Sequence, residues 1–89
     1  MSYSVEFTPE DLDSLGELTP TIQGRILRKI RWLSENFDDV TPQALSADLS
    51  GLFKLRVVDY RIIYSFGTEV QIITIHKIGH RRDVYKLRG

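Results

Sequence analysis

From its amino end the chain alternates, with Tyr3, Val5 and Phe7 on one side and Ser4 and Glu6 on the other. A period of two marks a half-buried strand over Ser2 to Phe7. Thr8-Pro9-Glu10-Asp11 carries the signs of a helix start: a hydroxyl N-cap, proline at the first helical position and acids in the first turn. Leu12, Leu15 and Leu18 give this short helix an apolar edge, and Gly16 weakens it. Thr19-Pro20 repeats the start signal. Behind it Ile22, Ile26, Ile30, Leu33 and Phe37 recur at intervals of four, four, three and four, a single apolar stripe. Arg25, Arg28, Lys29 and Arg31 fall off the stripe and stay solvated. The short link predicts that the helices pack antiparallel as a hairpin. Gly24 costs the second helix roughly 1 kcal/mol relative to alanine and offers the first helix a close approach.

Asn36 to Gly51 reads as a connection, with Thr41-Pro42-Gln43 starting a single helical turn and Ala44, Leu45 and Leu49 tethering it. From Leu52 the alternation returns for three strands. Val57-Val58-Asp59-Tyr60 and Phe66-Gly67-Thr68-Glu69 mark two-residue hairpins, Gly67 fitting a type II′ turn. Val58 sits where a positive φ would be awkward, so the first turn is expected to be of another type. Two-residue loops fix the register. Val57 then opposes Tyr60, Arg56 opposes Arg61, Leu55 opposes Ile62 and Lys54 opposes Ile63. In the second hairpin Ser65 opposes Val70, Ile63 opposes Ile72 and Arg61 opposes Thr74. One face becomes a core surface of Phe53, Leu55, Val57, Tyr60, Ile62, Tyr64, Ile73 and Ile75. The other gathers Lys54, Arg56, Arg61, Ile63, Val70, Ile72, Thr74 and His76. The fold class is α+β, one domain over residues 1–89: an N-terminal strand, a helical hairpin, then a three-stranded antiparallel meander. These make one sheet packed on the helices, followed by a basic C-terminal tail.

Composition changes that picture mainly through charge. The 89 residues carry no cysteine and a formal net charge of zero. Lack of thiols excludes a disulfide framework and fits a reducing cytoplasm. The first residues lack the basic start and apolar run of a signal peptide, and no segment is apolar for long enough to span a bilayer. Residues 1–51 hold four basic and nine acidic side chains, a net of −5; residues 52–89 hold eight basic and three acidic, a net of +5. Such a split marks either a basic working surface or a segregation of charge that serves solubility.

The expected register sharpens this. It makes Arg56 and Arg61 direct cross-strand neighbours, a destabilising pair that folding alone does not favour. The tail Gly79-His80-Arg81-Arg82-Asp83-Val84-Tyr85 can fold back over the end of the third strand and add two guanidinium groups, an imidazole and a phenol. Singly, each group has an ordinary reading: Lys54 as a solvated strand lysine, Arg81 and Arg82 as solubilising charges, His76 as a hydrogen-bonded sheet histidine, Tyr85 as a ring anchor. Together they resemble a phosphate site. There is no carboxylate pair for glycoside hydrolysis, no third ligand to join His76 and His80 around zinc, no glycine-rich phosphate loop and no nucleophile elbow. Cations around a phenol suit RNA cleavage by the 2′-hydroxyl, which requires neither metal nor cofactor. Arginine stabilises the phosphorane bidentately, and a base and an acid handle the two oxygens. Tyr85 can instead stack a base.

The segments LSGLFKLRVVDYRIIYSF and IHKIGHRRDVYK resemble the RelE branch of the RelE/ParE toxin superfamily, the toxin halves of bacterial type II toxin–antitoxin modules. The likeness covers essentially the whole chain. It implies a ribosome-dependent mRNA endonuclease that cuts codons in the A site, with Lys54, Arg56, Arg61, Arg81 and Tyr85 stabilising the transition state and assisting proton transfer. Where relatives carry lysine at the Arg56 position, arginine is a poor base at neutral pH, so Lys54 or Tyr85 must do more. His76, His80 and Arg82 would help bind RNA. Arg25, Arg28 and Lys29 would either meet ribosomal RNA phosphates or remain surface charges. A RelB-like antitoxin is the implied partner, its acidic or amphipathic segments covering the basic face or displacing the tail. The alternative within the superfamily is a ParE-like toxin that inhibits gyrase by binding alone.

Overall fold

The computed structural model describes residues 3–45 and 51–80 of the chain. Strand β1 (Ser4–Phe7) leads into helix α1 (Pro9–Gly16) and the longer helix α2 (Pro20–Glu35). A single 3-10 turn at Phe37–Asp39 and the two-residue strand β2 (Gln43–Ala44) precede β3 (Phe53–Val57), β4 (Tyr60–Gly67) and β5 (Ile72–His80). None of the described helices is long and apolar enough to cross a membrane.

Both helices begin as their sequences dictate. Thr8 is extended, its hydroxyl oxygen accepts from the Asp11 N–H at 3.3 Å and its hydroxyl donates to Asp11 Oδ2 at 2.8 Å. Thr19 caps α2 in the same way, accepting from the Ile22 N–H at 3.5 Å, and proline follows each cap. The α2 stripe is buried at Ile26, Ile30 and Leu33 and continues into Phe37. It packs on one face of the sheet, over Val57, Ile62, Tyr64, Ile73, Ile75 and Ile78. Phe37 joins Tyr3 and Phe66 with ring centroids 4.6 and 4.7 Å apart, and Phe53 extends the cluster 5.0 Å from Phe66. The α+β architecture thus stands, with a sheet packed on helices.

The sheet has five strands in the order β1-β5-β4-β3-β2. β1 lies parallel to β5, and the other pairings are antiparallel. The β3–β4 register is the expected one, Val57 to Tyr60 through Lys54 to Ile63. Val58 takes the awkward positive φ, 56°. The β4–β5 register differs. Gly67 does not adopt the positive φ of a type II′ turn; it stays in β4 and pairs with Ile72. Thr68 to Gln71 form a four-residue turn instead, Gln71 taking a φ of 55°. The slip is even, so Ile73 and Ile75 keep the core side they were expected to have. A bulge then intervenes: Tyr64 pairs with Ile75 and Ile63 with Lys77, leaving His76 as the extra residue. Beyond it the alternation reverses, which brings Ile78 into the core.

Three smaller expectations also change. Thr41-Pro42-Gln43 starts no helical turn; Gln43 and Ala44 pair with Lys54 and Phe53, and the Leu45 N–H donates to the Leu52 carbonyl at 3.1 Å. A Cβ at Gly24 would meet only the Arg28 side chain, at 3.7 Å, so this glycine serves no close approach. On α1 the inward positions go to Leu15 and Asp11, while Leu12 is left in solvent.

Candidate active site

The face of the sheet away from α2 carries Lys54 and Arg56 on β3, Arg61, Ile63 and Ser65 on β4, and His76 at the bulge of β5. Alternation places them there, because Leu55, Ile62 and Tyr64 between them point into the core. Arg56 and Arg61 are directly paired. Arg61's other cross-strand neighbour is Gly79, so no acid flanks it among the described residues. The acid that register brings to this face, Glu6, stands beside Thr74 nearer the far edge.

The like-charged pair is relieved by the turn rather than by a carboxylate. Arg56 Nε donates to the Val58 carbonyl at 3.3 Å, and Arg61 Nη1 donates to the same oxygen at 3.5 Å and to the Tyr60 carbonyl at 3.1 Å. One peptide dipole thus sits between two guanidinium groups and takes up part of their repulsion. Its position depends on the left-handed backbone of Val58, which a β-branched residue adopts only at a cost. The terminal nitrogens of Arg56 make no protein hydrogen bond among the described residues and remain for an anion. Lys54 and Lys77 flank Ile63, whose side chain is fully buried although it points away from the main core.

His76 stands one step farther from Arg61 than a two-residue loop would put it. Its Nε2 is hydrogen-bonded to Ser65 Oγ at 2.7 Å. Asp11 approaches from the start of α1, near enough for the imidazole to favour the ionised carboxylate. Burial outweighs that effect and the Thr8 hydrogen bonds, so the carboxyl is held above its usual range. Ser65 and Asp11 escaped sequence reasoning: Ser65 meets His76 only through the bulge, and Asp11 reads as an ordinary first-turn acid. Among the described residues no group of three or more His, Cys, Asp or Glu is placed to hold a metal ion.

The remaining candidates do not all converge. His80 pairs with Tyr60 on the helix side of the sheet, its ring edge-on at 5.6 Å, rather than on the basic face. Arg25 and Arg28 project from the solvent side of α2, with the helix and the sheet between them and the open face. Lys29 is nearer the β3 edge and holds its ammonium 4.2 Å from the Trp32 ring centroid. Arg81, Arg82 and Tyr85 lie outside the described residues.

Residues 5–85 match the family model described as the ParE toxin of the type II toxin–antitoxin system parDE. Toxin RelG of Mycobacterium tuberculosis is 27% identical over 92 residues, covering 97% of this chain and 99% of that protein. The crystal structure of the RelBE2 toxin–antitoxin complex from the same organism superposes with a TM-score of 0.81 at 28% identity, over 91% of this chain and 93% of its own. The isolated RelE toxin of E. coli shares the fold, with a TM-score of 0.74 at 18% identity over 96% of this chain and 93% of that one. The chain belongs to the ParE toxin family of type II toxin–antitoxin systems, and within the RelE/ParE superfamily its likeness runs to the RelE branch.

Proposed function

We propose that this toxin is a metal-independent endoribonuclease that cuts mRNA codons in the ribosomal A site. The observation that carries the reading is the gathering of Lys54, Arg56 and Arg61 on one open sheet face, with both arginines held by the Val58 carbonyl. In this chemistry a base removes the proton of a ribose 2′-hydroxyl and its oxygen attacks the adjacent phosphorus. Arg56 and Arg61, joined by Arg81, take up the charge that builds on the phosphorane. The bond from phosphorus to the 5′-oxygen breaks, and an acid returns a proton to that oxygen. A 2′,3′-cyclic phosphate and a 5′-hydroxyl result. Lys54 and Tyr85 supply the proton transfers. His76, set by Ser65, contacts the RNA beside them with Arg82, while His80 faces the helix side of the sheet and Arg25 and Arg28 meet ribosomal RNA with marked salt dependence.

The toxin works in the cytoplasm, restrained by a RelB-like antitoxin. RelE–RelB complexes among its structural relatives support that partner. The ParE description of the family model favours one second reading, inhibition of gyrase by binding alone. Expression of the protein with mapping of mRNA 5′ ends separates the two. Cuts inside translated codons support the nuclease; DNA damage with intact mRNA supports the gyrase inhibitor. Arg61→Ala is expected to slow cleavage by about 10²–10³-fold, and undiminished cutting by that variant would remove the open face from the mechanism.

A further inference from the structure

A recess of about 280 Å³ opens at the β2–β3 edge of the sheet, between α2, the segment from Val40 to Gln43, and β3. Lys29, Lys54 and Arg56 stand around it, and no acid among the described residues lines it. Trp32 and Leu55 give it apolar walls, and Trp32 is 43% exposed, an unusual state for so large a ring. Tyr64 also lines it.

Tyr64 is the telling residue. It is only 1% exposed, yet its hydroxyl makes no hydrogen bond among the described residues. No side-chain oxygen or nitrogen among those residues is both sealed from solvent and unpartnered, so this hydroxyl keeps access to solvent, and Tyr64 is one of the residues lining the recess. Burial pushes the phenol up to about 12, which keeps it a proton donor at neutral pH. A phenol that is otherwise enclosed but keeps its hydroxyl accessible can donate to a ligand acceptor in place of water.

A ligand for this recess therefore needs three things: an acceptor for the Tyr64 hydroxyl, a flat apolar body, and an anion for the surrounding cations. A nucleotide has all three. Its base carries acceptors on its edge and a π-face for indole, and its phosphate suits a cluster of cations. Lys54 and Arg56 line the recess and also belong to the open face. An RNA strand gripped there can turn its next base over the sheet edge.

We propose that this recess is a nucleotide pocket, taking the base beside the cleaved phosphate against Trp32 and Leu55, with Tyr64 donating to the base and Lys29 meeting the phosphate. The placement beside a cleaved phosphate rests on the nuclease reading; the pocket itself does not. Trp32 is the single tryptophan of the chain, so its fluorescence reports occupancy.

The test titrates the full-length protein with each of the four nucleoside 5′-monophosphates, with inorganic phosphate and with a short acidic peptide. At least one mononucleotide is expected to change the Trp32 emission saturably, while phosphate alone does not. Tyr64→Phe, with an unchanged circular dichroism spectrum, is expected to bind that mononucleotide about tenfold more weakly, and Lys29→Ala also more weakly. Absence of a saturable response to any mononucleotide overturns the pocket, as does equal affinity in both variants. A response to the acidic peptide alone overturns it too and assigns the recess to a protein partner. Ribosome-programmed cleavage, measured in parallel on the wild-type protein, separates the two ideas. Cleavage without mononucleotide binding sinks the pocket alone. Binding through Tyr64 with intact mRNA upholds the pocket and sinks the nuclease reading.

Discussion

The two faces of β3 and β4 are built from the same residues read alternately, yet they obey different rules. Leu55 and Ile62 form a cross-strand pair on the helix side, and Ile62 is fully enclosed beneath α2. One position along, Arg56 and Arg61 form a pair that repels itself and is steadied, among the described residues, by turn carbonyls. The helix side is chosen for free energy and the open side against it. A sheet covered on one face can carry this contrast because the covered face supplies enough burial to tolerate a destabilised neighbour.

The largest effect that tests this division comes from the core. Leu33 is fully enclosed, so Leu33→Ala is expected to lose about 2–5 kcal/mol in urea unfolding. Arg56→Ala, by contrast, is expected to stay within about 0.5 kcal/mol of the wild type, because it removes a repulsion as well as a hydrogen bond. Comparable losses in the two variants would break the distinction between the faces.

A smaller effect is expected at the turn that steadies the arginines. Val58→Gly removes a left-handed penalty of about 1–2 kcal/mol and returns part of it as chain entropy in the unfolded state. A net gain below about 1 kcal/mol, read as a modest rise in Tm, is the expected result. A fall in Tm would show that the valine side chain, not the backbone, holds the turn.

The smallest effect lies at Asp11, where α1 meets the His76 end of the open face. Burial raises its carboxyl above 3.8, so the folded protein holds that proton more tightly than the unfolded chain. The contribution to stability is therefore fullest below pH 3.8 and is lost as pH rises through the folded value. Asp11→Asn does not titrate. Its Tm relative to the wild type is expected to climb across that interval and then level off; a difference independent of pH would mean that Asp11 is solvated.

What the sequence disclosed follows the same line between local and distant causes. The α2 stripe and the β3–β4 register were legible because periodicity and one short turn decide them, and the pairing of Arg56 with Arg61 came with them. The β5 register was not. Gly67 looked like a turn glycine, but the turn forms one residue later and a bulge is absorbed at His76. The burial of Ile73, Ile75 and Ile78, at intervals of two and then three, makes sense only once that bulge is known. Strand β2 is too short for any pattern, and the Tyr64 recess joins four separate elements. His80 was placed with the basic face by its sequence neighbours, whereas the reversal of alternation after the bulge turns it toward Tyr60.

The parallel pairing of β1 with β5 has a consequence for how the molecule is made. Ser4 waits for Ile72, and Phe7 for Ile75. During synthesis the first strand therefore has no sheet neighbour until Ile72 to Ile75 have been made, and a contact between such distant segments is slow to close. Strands β3 and β4 can pair earlier, so the arginine pair is assembled before the sheet that braces it is complete. Strand β5, which follows the other described strands in the sequence, both seats β1 and delivers His76. The strand that seats β1 and the strand that brings His76 to the basic face are thus one and the same.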